Sequence, residues 1–152
     1  MPKKPTAADA ELILKLYDLR RESELRKARS WIGGSFWPDS IDDYNKIASA
    51  PSAPENAWLR QVMGYWELAA SLVNHGIINP DLFLEPSFSA EMVMIYTKVK
   101  PFIEELREKS SPTFFANVEK LVNSTKKSRE FQQRMEKNLA TRRKAMAAAK
   151  AS

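Results

Sequence analysis

Residues 56–77 read NAWLRQVMGYWELAASLVNHGI, and this stretch decides the fold class. Trp58, Leu59, Val62, Met63, Tyr65, Trp66, Leu68, Leu72 and Val73 recur at the three- and four-residue intervals of a helix and cover most of its circumference. A helix that is apolar over so much of its surface belongs in the centre of a bundle. Gly76 followed by Ile77 has the form of a left-handed C-cap backed by an apolar residue, so the helix is expected over residues 56–75. His75, the only histidine, falls in the last turn, where an imidazole meets unpaired carbonyls and the negative end of the helix dipole.

The flanking sequence repeats the pattern. Upstream, Thr6 with Asp9 three residues later forms a capping box for a first helix expected to run to about Trp31, with Gly33 and Gly34 as its stop. Ser40 and Asp43 form a second box, opening a short helix through Tyr44 and Ile47 after Phe36 and Trp37 have entered the core. Downstream, Asn79 and Pro80 start a turn through Leu82, Phe83 and Leu84 that Pro86 closes. A helix over residues 89–109 then presents Met92, Ile95, Tyr96, Val99, Phe102, Ile103 and Leu106, with a kink expected at Pro101. Ser111 as cap and Pro112 as first helical residue begin a last helix, through Phe114, Phe115, Val118, Leu121 and Val122, whose pattern continues to about Ala148. The expectation is an all-α protein, a compact bundle of about five helices with a long basic C-terminal helix.

That last helix is too long for its body. About 36 residues at ~1.5 Å each reach about 54 Å, whereas a body of ~125 residues has a diameter of about 35 Å. Either the weak helix formers Asn123, Ser124 and Thr125 break it, or its end projects, frays or binds something. Charge marks the same boundary. The chain carries +5 overall, but residues 126–152 hold nine Lys/Arg and two acidic residues, net +7, which leaves −2 on residues 1–125. The chain therefore divides into a helical domain, 1–125, and a basic helical tail, 126–152, expected to project or fray.

With no cysteine, disulfides, thiolate nucleophiles and Cys-ligated metal are excluded, and a single histidine excludes a multi-histidine metal site. Asp39, Asp42 and Asp43 lack calcium-loop spacing and read as helix caps. Glu104 and Glu105, consecutive and beside basic residues, read as a solvated face. There is no phosphate-binding glycine loop, nucleophile elbow or zinc-protease motif. No catalytic residue, metal or cofactor is assigned, and the balance leans away from an enzyme. No export-type apolar segment follows the basic start, and no apolar run approaches the ~20 residues of a membrane span. A cytoplasmic protein is expected.

Two sets of residues remain as candidate sites. Arg60, Gly64, Glu67, Ser71 and Asn74 form the one polar strip on the central helix, a ligand or partner site if it is not a polar contact between helices. Gly64 costs about 0.5–1 kcal/mol relative to alanine in mid-helix, and close approach of a helix or ligand would account for it. In the tail, Phe131, Met135, Leu139 and Met146 form a narrow apolar stripe among basic residues, and such a stripe needs a partner: the body, a second copy or an anionic surface.

The order Tyr65, Trp66, Glu67, Ala69, Val73, Gly76, Ile78 and Asp81 resembles a family of small all-helical bacterial proteins of unknown function: an aromatic pair with glutamate, a small-residue turn, a glycine cap, then an aliphatic and an acidic residue. The resemblance extends from the first helix to about Val122, through Lys100, Pro101, Phe102 and Arg107, and leaves the tail uncovered. It implies an all-α fold and brings neither catalytic residues nor membrane attachment. On this reading the protein is a non-enzymatic interaction or regulatory module whose partner is itself, as a homo-oligomer, or another protein. The alternative is a nucleic-acid-associated protein that uses the basic tail.

Overall fold

The computed structural model describes residues 3–152 and is all-helical. Its elements are α1 (Ala7–Leu19), α2 (Ser23–Gly34), α3 (Ile41–Ala48), α4 (Pro54–Asn74), the single turn α5 (Pro80–Phe83), α6 (Pro86–Val99), α7 (Ile103–Lys109), α8 (Ala116–Val122) and α9 (Lys126–Ala151), with a 3₁₀ turn at Lys100–Phe102 between α6 and α7. Among the described residues that is eight helices of seven residues or more plus one short turn, so the expectation of about five was too low.

The excess arises because three of the expected helices are divided. The first breaks at residues 20–22. There Arg20 turns inward, donating to the Phe88 carbonyl at 3.2 Å and stacking over the Tyr17 and Phe88 rings, while the Glu22 carboxylate caps the Glu24 and Leu25 amides and restarts the chain as α2. The helix through Pro101 begins earlier than expected, at Pro86, and tightens to 3₁₀ at that proline. The third does not start at Ser111. Residues 111–115 form turns, Phe115 adopts a left-handed φ of 54°, and only then does α8 begin. It ends at Asn123, and Thr125 caps α9 in a box with Ser128.

The other signals are found where the sequence puts them. Thr6 and Asp9 form the capping box of α1, Ser40 caps α3, Asn79 caps α5, and Gly76 takes φ +75° with the Ile77 amide on the Leu72 carbonyl. α4 is the centre: Leu59, Val62, Trp66, Ala69 and Ala70 are at most 2% exposed, α2 and α8 flank it, and α3 and α5 close its ends. Trp66 is fully buried, with Phe83 and Phe88 edge-on to it, and its Nε1 donates to Glu91 Oε1 at 2.9 Å. Glu91 Oε2 accepts from Arg29 at 2.8 Å, so one carboxylate joins α2, α4 and α6.

α9 lies along α6 and runs in the same direction. Lys127 stands 3.7 Å from Glu85 at the start of α6, and Leu139 and Ala140 line a cavity with Thr97 and Lys98 near its end. No helix among the described residues is long and apolar enough to cross a membrane.

Candidate functional site

The polar strip of α4 separates into two kinds of residue. Glu67 is a structural anchor: its Oε1 accepts from the Asn117 amide at 2.9 Å and the Asn117 side chain at 3.0 Å, and its Oε2 accepts from the Val118 amide at 3.2 Å. A carboxylate at the first amides of α8 satisfies donors that no helical carbonyl reaches. Asn74 secures the same point, its Nδ2 donating to the Asn117 backbone and side-chain oxygens at 3.0 Å each. Ser71 Oγ donates to the Leu68 carbonyl within its own helix. Together Glu67 and Asn74 hold α8 where Phe115 must adopt its left-handed backbone, a conformation that costs a non-glycine residue about 1–3 kcal/mol.

Arg60 and Gly64 lie on the same side of α4 as Glu67 but are exposed. A Cβ on Gly64 would meet nothing within 4 Å, so no helix approaches there and packing does not account for the glycine. Beside it lies a recess of about 240 Å³ whose apolar walls are Leu59 and Met63 of α4, Tyr44 of α3, and Phe114 and Phe115 of the α7–α8 connection, with Glu67 lining the end away from Arg60. Arg60 stands at its rim, and among the described residues its guanidinium makes one hydrogen bond, from Nε to Asn56 Oδ1 at 3.1 Å. Burial pushes the Tyr44 hydroxyl up to about 12, so it is a neutral phenol against Met63 at neutral pH.

The tail stripe points inward. Leu139 is buried, Phe131 and Met135 pack against the core, and Met146 is half-buried beside Trp37. The same face of α9 carries Arg142 and Arg143 to the end of α2, where a cluster forms that the sequence reading missed. Lys98 of α6 is 3% exposed; its Nζ donates to the Ile32 carbonyl at 2.7 Å and lies 4.0 Å from the Trp37 ring centre. Arg142 reaches the Gly33 carbonyl at 3.5 Å, and the Trp37 indole donates to the Gly34 carbonyl at 3.1 Å. Three consecutive carbonyls of the last turn of α2 are thus met by donors, two of them cationic, at the negative end of its dipole. Arg143 pairs with Asp39 and the Pro38 carbonyl. Burial, with Arg142 and Arg143 adding repulsion, pulls the Lys98 ammonium down to about 7. Lys98 falls between Ile95 and Phe102 on the inward face of its helix, and a charge at a core register position is the signal that could have found it.

The outer face of α9 is left to Lys126, Arg134, Lys137 and Lys144, all exposed. Lys137 and Lys144 have no carboxylate within 4 Å among the described residues, while Lys126 has Glu130 at 3.8 Å.

His75 is exposed, and its Nδ1 lies 2.8 Å from the Ser71 carbonyl, the helix-end role expected of it. No curated protein and no solved structure matches the chain. A family model does match, over residues 5–125, from the start of α1 through Thr125, and α9 falls outside it. The aromatic pair and glutamate of α4, the Gly76 cap and the acidic residue after Pro80 all lie within the match, and the chain belongs to the family of the domain of unknown function DUF4760.

Proposed function

We propose that this protein is a binding module whose C-terminal helix engages the phosphates of a nucleic acid. The observation that carries the reading is the division of α9 into two faces. Its apolar stripe is spent on α6 and on the end of α2, and what remains outside is a row of cations on a rigid helix. Lys137 and Lys144 are seven residues apart, about 10.5 Å along one face. The −2 body and the +7 tail give the molecule an electrostatic polarity that orients a polyanion towards α9. Phe131, the only aromatic of the tail, faces inward, which favours backbone contacts over base stacking.

The test is fluorescence anisotropy with a short labelled duplex of arbitrary sequence across a salt series. Contacts with about three phosphates give a log K against log salt slope near −3, and the Lys137→Glu, Lys144→Glu double variant reduces its magnitude by about two. Absence of binding at low salt, or a slope the double variant leaves unchanged, overturns the reading.

Self-association is the second reading, and the observation that favours it is a set of exposed apolar side chains away from α9. Leu14, Leu19, Leu68 and Ile77 are 53–66% exposed, on or beside α1 and α4. Light scattering over a concentration series reads this directly. Loss of the larger species in Leu14→Glu, Leu68→Glu with α9 intact supports it, and a monomeric parent refutes it.

A further inference from the structure

We propose that the recess over Gly64 binds a small aromatic carboxylate, its ring on Met63, Leu59 and Phe115 and its carboxylate on Arg60. The inference stands apart from the role of α9. It begins with a residue that the fold itself does not need: Gly64 weakens the central helix, and the space its missing side chain leaves is open. Loss of helix propensity at a position without a packing reason is accounted for when the space is kept for something that arrives later.

The chemistry of the recess narrows what that is. Its floor is apolar and aromatic, with Leu59, Met63, Tyr44 and Phe115 themselves buried. Its volume, about 240 Å³, is below the roughly 300–1,000 Å³ of sites that take drug-sized ligands, which suits one ring and a short acid arm. The rim supplies a single cation: Arg60 has no carboxylate within 4 Å among the described residues, and its terminal nitrogens make no hydrogen bond. A guanidinium binds a carboxylate with two parallel N–H donors. The opposite end is closed to an anion, because Glu67 lies seven residues along the helix, about 10.5 Å away, with its charge already on the α8 amides. The acid therefore points to Arg60 and the ring towards Phe115.

The probe is 3-phenylpropionate, titrated into the full chain with the methionine methyls observed by NMR, and 3-phenylpropanamide as its neutral counterpart. The expected result is a saturable shift of the Met63 methyl with the acid, weakened at least about tenfold for the amide and for Arg60→Met. Gly64→Leu fills the recess and abolishes the shift, and Gly64→Ala raises the melting temperature while weakening binding, so the site is distinguished from the fold even if the leucine variant folds poorly. Failure of the Met63 shift to saturate by about 10 mM, equal binding of acid and amide, or undiminished binding by Gly64→Ala overturns the proposal.

Discussion

Replacing Trp66 by alanine tests the packing argument at its centre. The side chain has no exposed surface, touches Phe83 and Phe88 edge-on, and ends in a 2.9 Å hydrogen bond to Glu91. Truncating a large buried aromatic costs about 3–5 kcal/mol, the sum of lost transfer free energy and the cavity left behind. Part of the cavity cannot close, because α2 and α6 stay held at fixed spacing through the Arg29–Glu91 pair. The expected loss is therefore at the upper end, about 4–5 kcal/mol, a large share of the 5–15 kcal/mol typical of a domain. A fall in melting temperature of roughly 10–20 °C accompanies it. Trp66→Phe keeps most of the ring and deletes the indole N–H, which leaves Glu91 Oε1 without its donor and costs about 2 kcal/mol. Urea unfolding followed by far-ultraviolet circular dichroism measures both. A loss below about 1 kcal/mol for Trp66→Ala at unchanged m-value refutes the central placement of this residue, and equal losses for the two variants show that the hydrogen bond rather than the packing carries the energy.

Glu67→Ala removes the acceptor of three donors at the start of α8, and a loss of about 2 kcal/mol with faster amide exchange at Asn117 and Val118 is expected; unchanged exchange refutes the capping role. Lys98 gives a pH dependence with a definite sign. Its folded pKa of about 7 lies below the 10.5 of the unfolded chain, so between those values the unfolded state holds the extra proton and stability rises with pH, by at most about 1.4 kcal/mol per pH unit. Lys98→Met is expected to flatten that rise in urea unfolding between pH 7 and 9.5, below the range where the buried Tyr44 and Tyr65 hydroxyls ionise in the unfolded chain; parallel curves for parent and variant refute it. Truncation after Thr125 uncovers the side of α6 that Leu139, Phe131 and Met135 cover, and removes Arg142 from the end of α2. The shortened chain is expected to stay helical with a melting temperature lowered by several degrees, and an unchanged melting temperature shows that the docking of α9 contributes nothing.

The sequence by itself determined the fold class, the central helix and most helix ends. Those properties are local: the period of apolar residues, a hydroxyl or carboxylate placed three residues before an amide, a glycine where φ must be positive. The capping box at Thr6, the Ser40 cap, whose expected reciprocal bond goes instead from the Asp39 amide to the Asp43 carboxylate, and the stop at Gly76 needed no knowledge of what packs on them. The family signature around Tyr65, Trp66 and Glu67 was legible for the same reason, since it lies within one helix and the turn that follows. The kink at Pro101 and the break at Asn123 to Thr125 were legible as well, but tertiary structure decided the breaks at residues 20–22 and 111–115. Arg20 reads as one more residue on a helical face until the Phe88 carbonyl, 68 residues away, gives it a reason to turn in, and Phe115 takes a strained backbone only because Glu67 and Asn74 hold α8 in place. It also decided what the strip and the stripe do. Glu67 and Gly64 look alike as polar-face positions of one helix, yet one caps a helix 50 residues further on and the other opens a recess. Lys98 comes to lie under Trp37 at the end of α2 because α6, α9 and the segment after α2 meet there, and spacing along a chain carries no information about such a meeting.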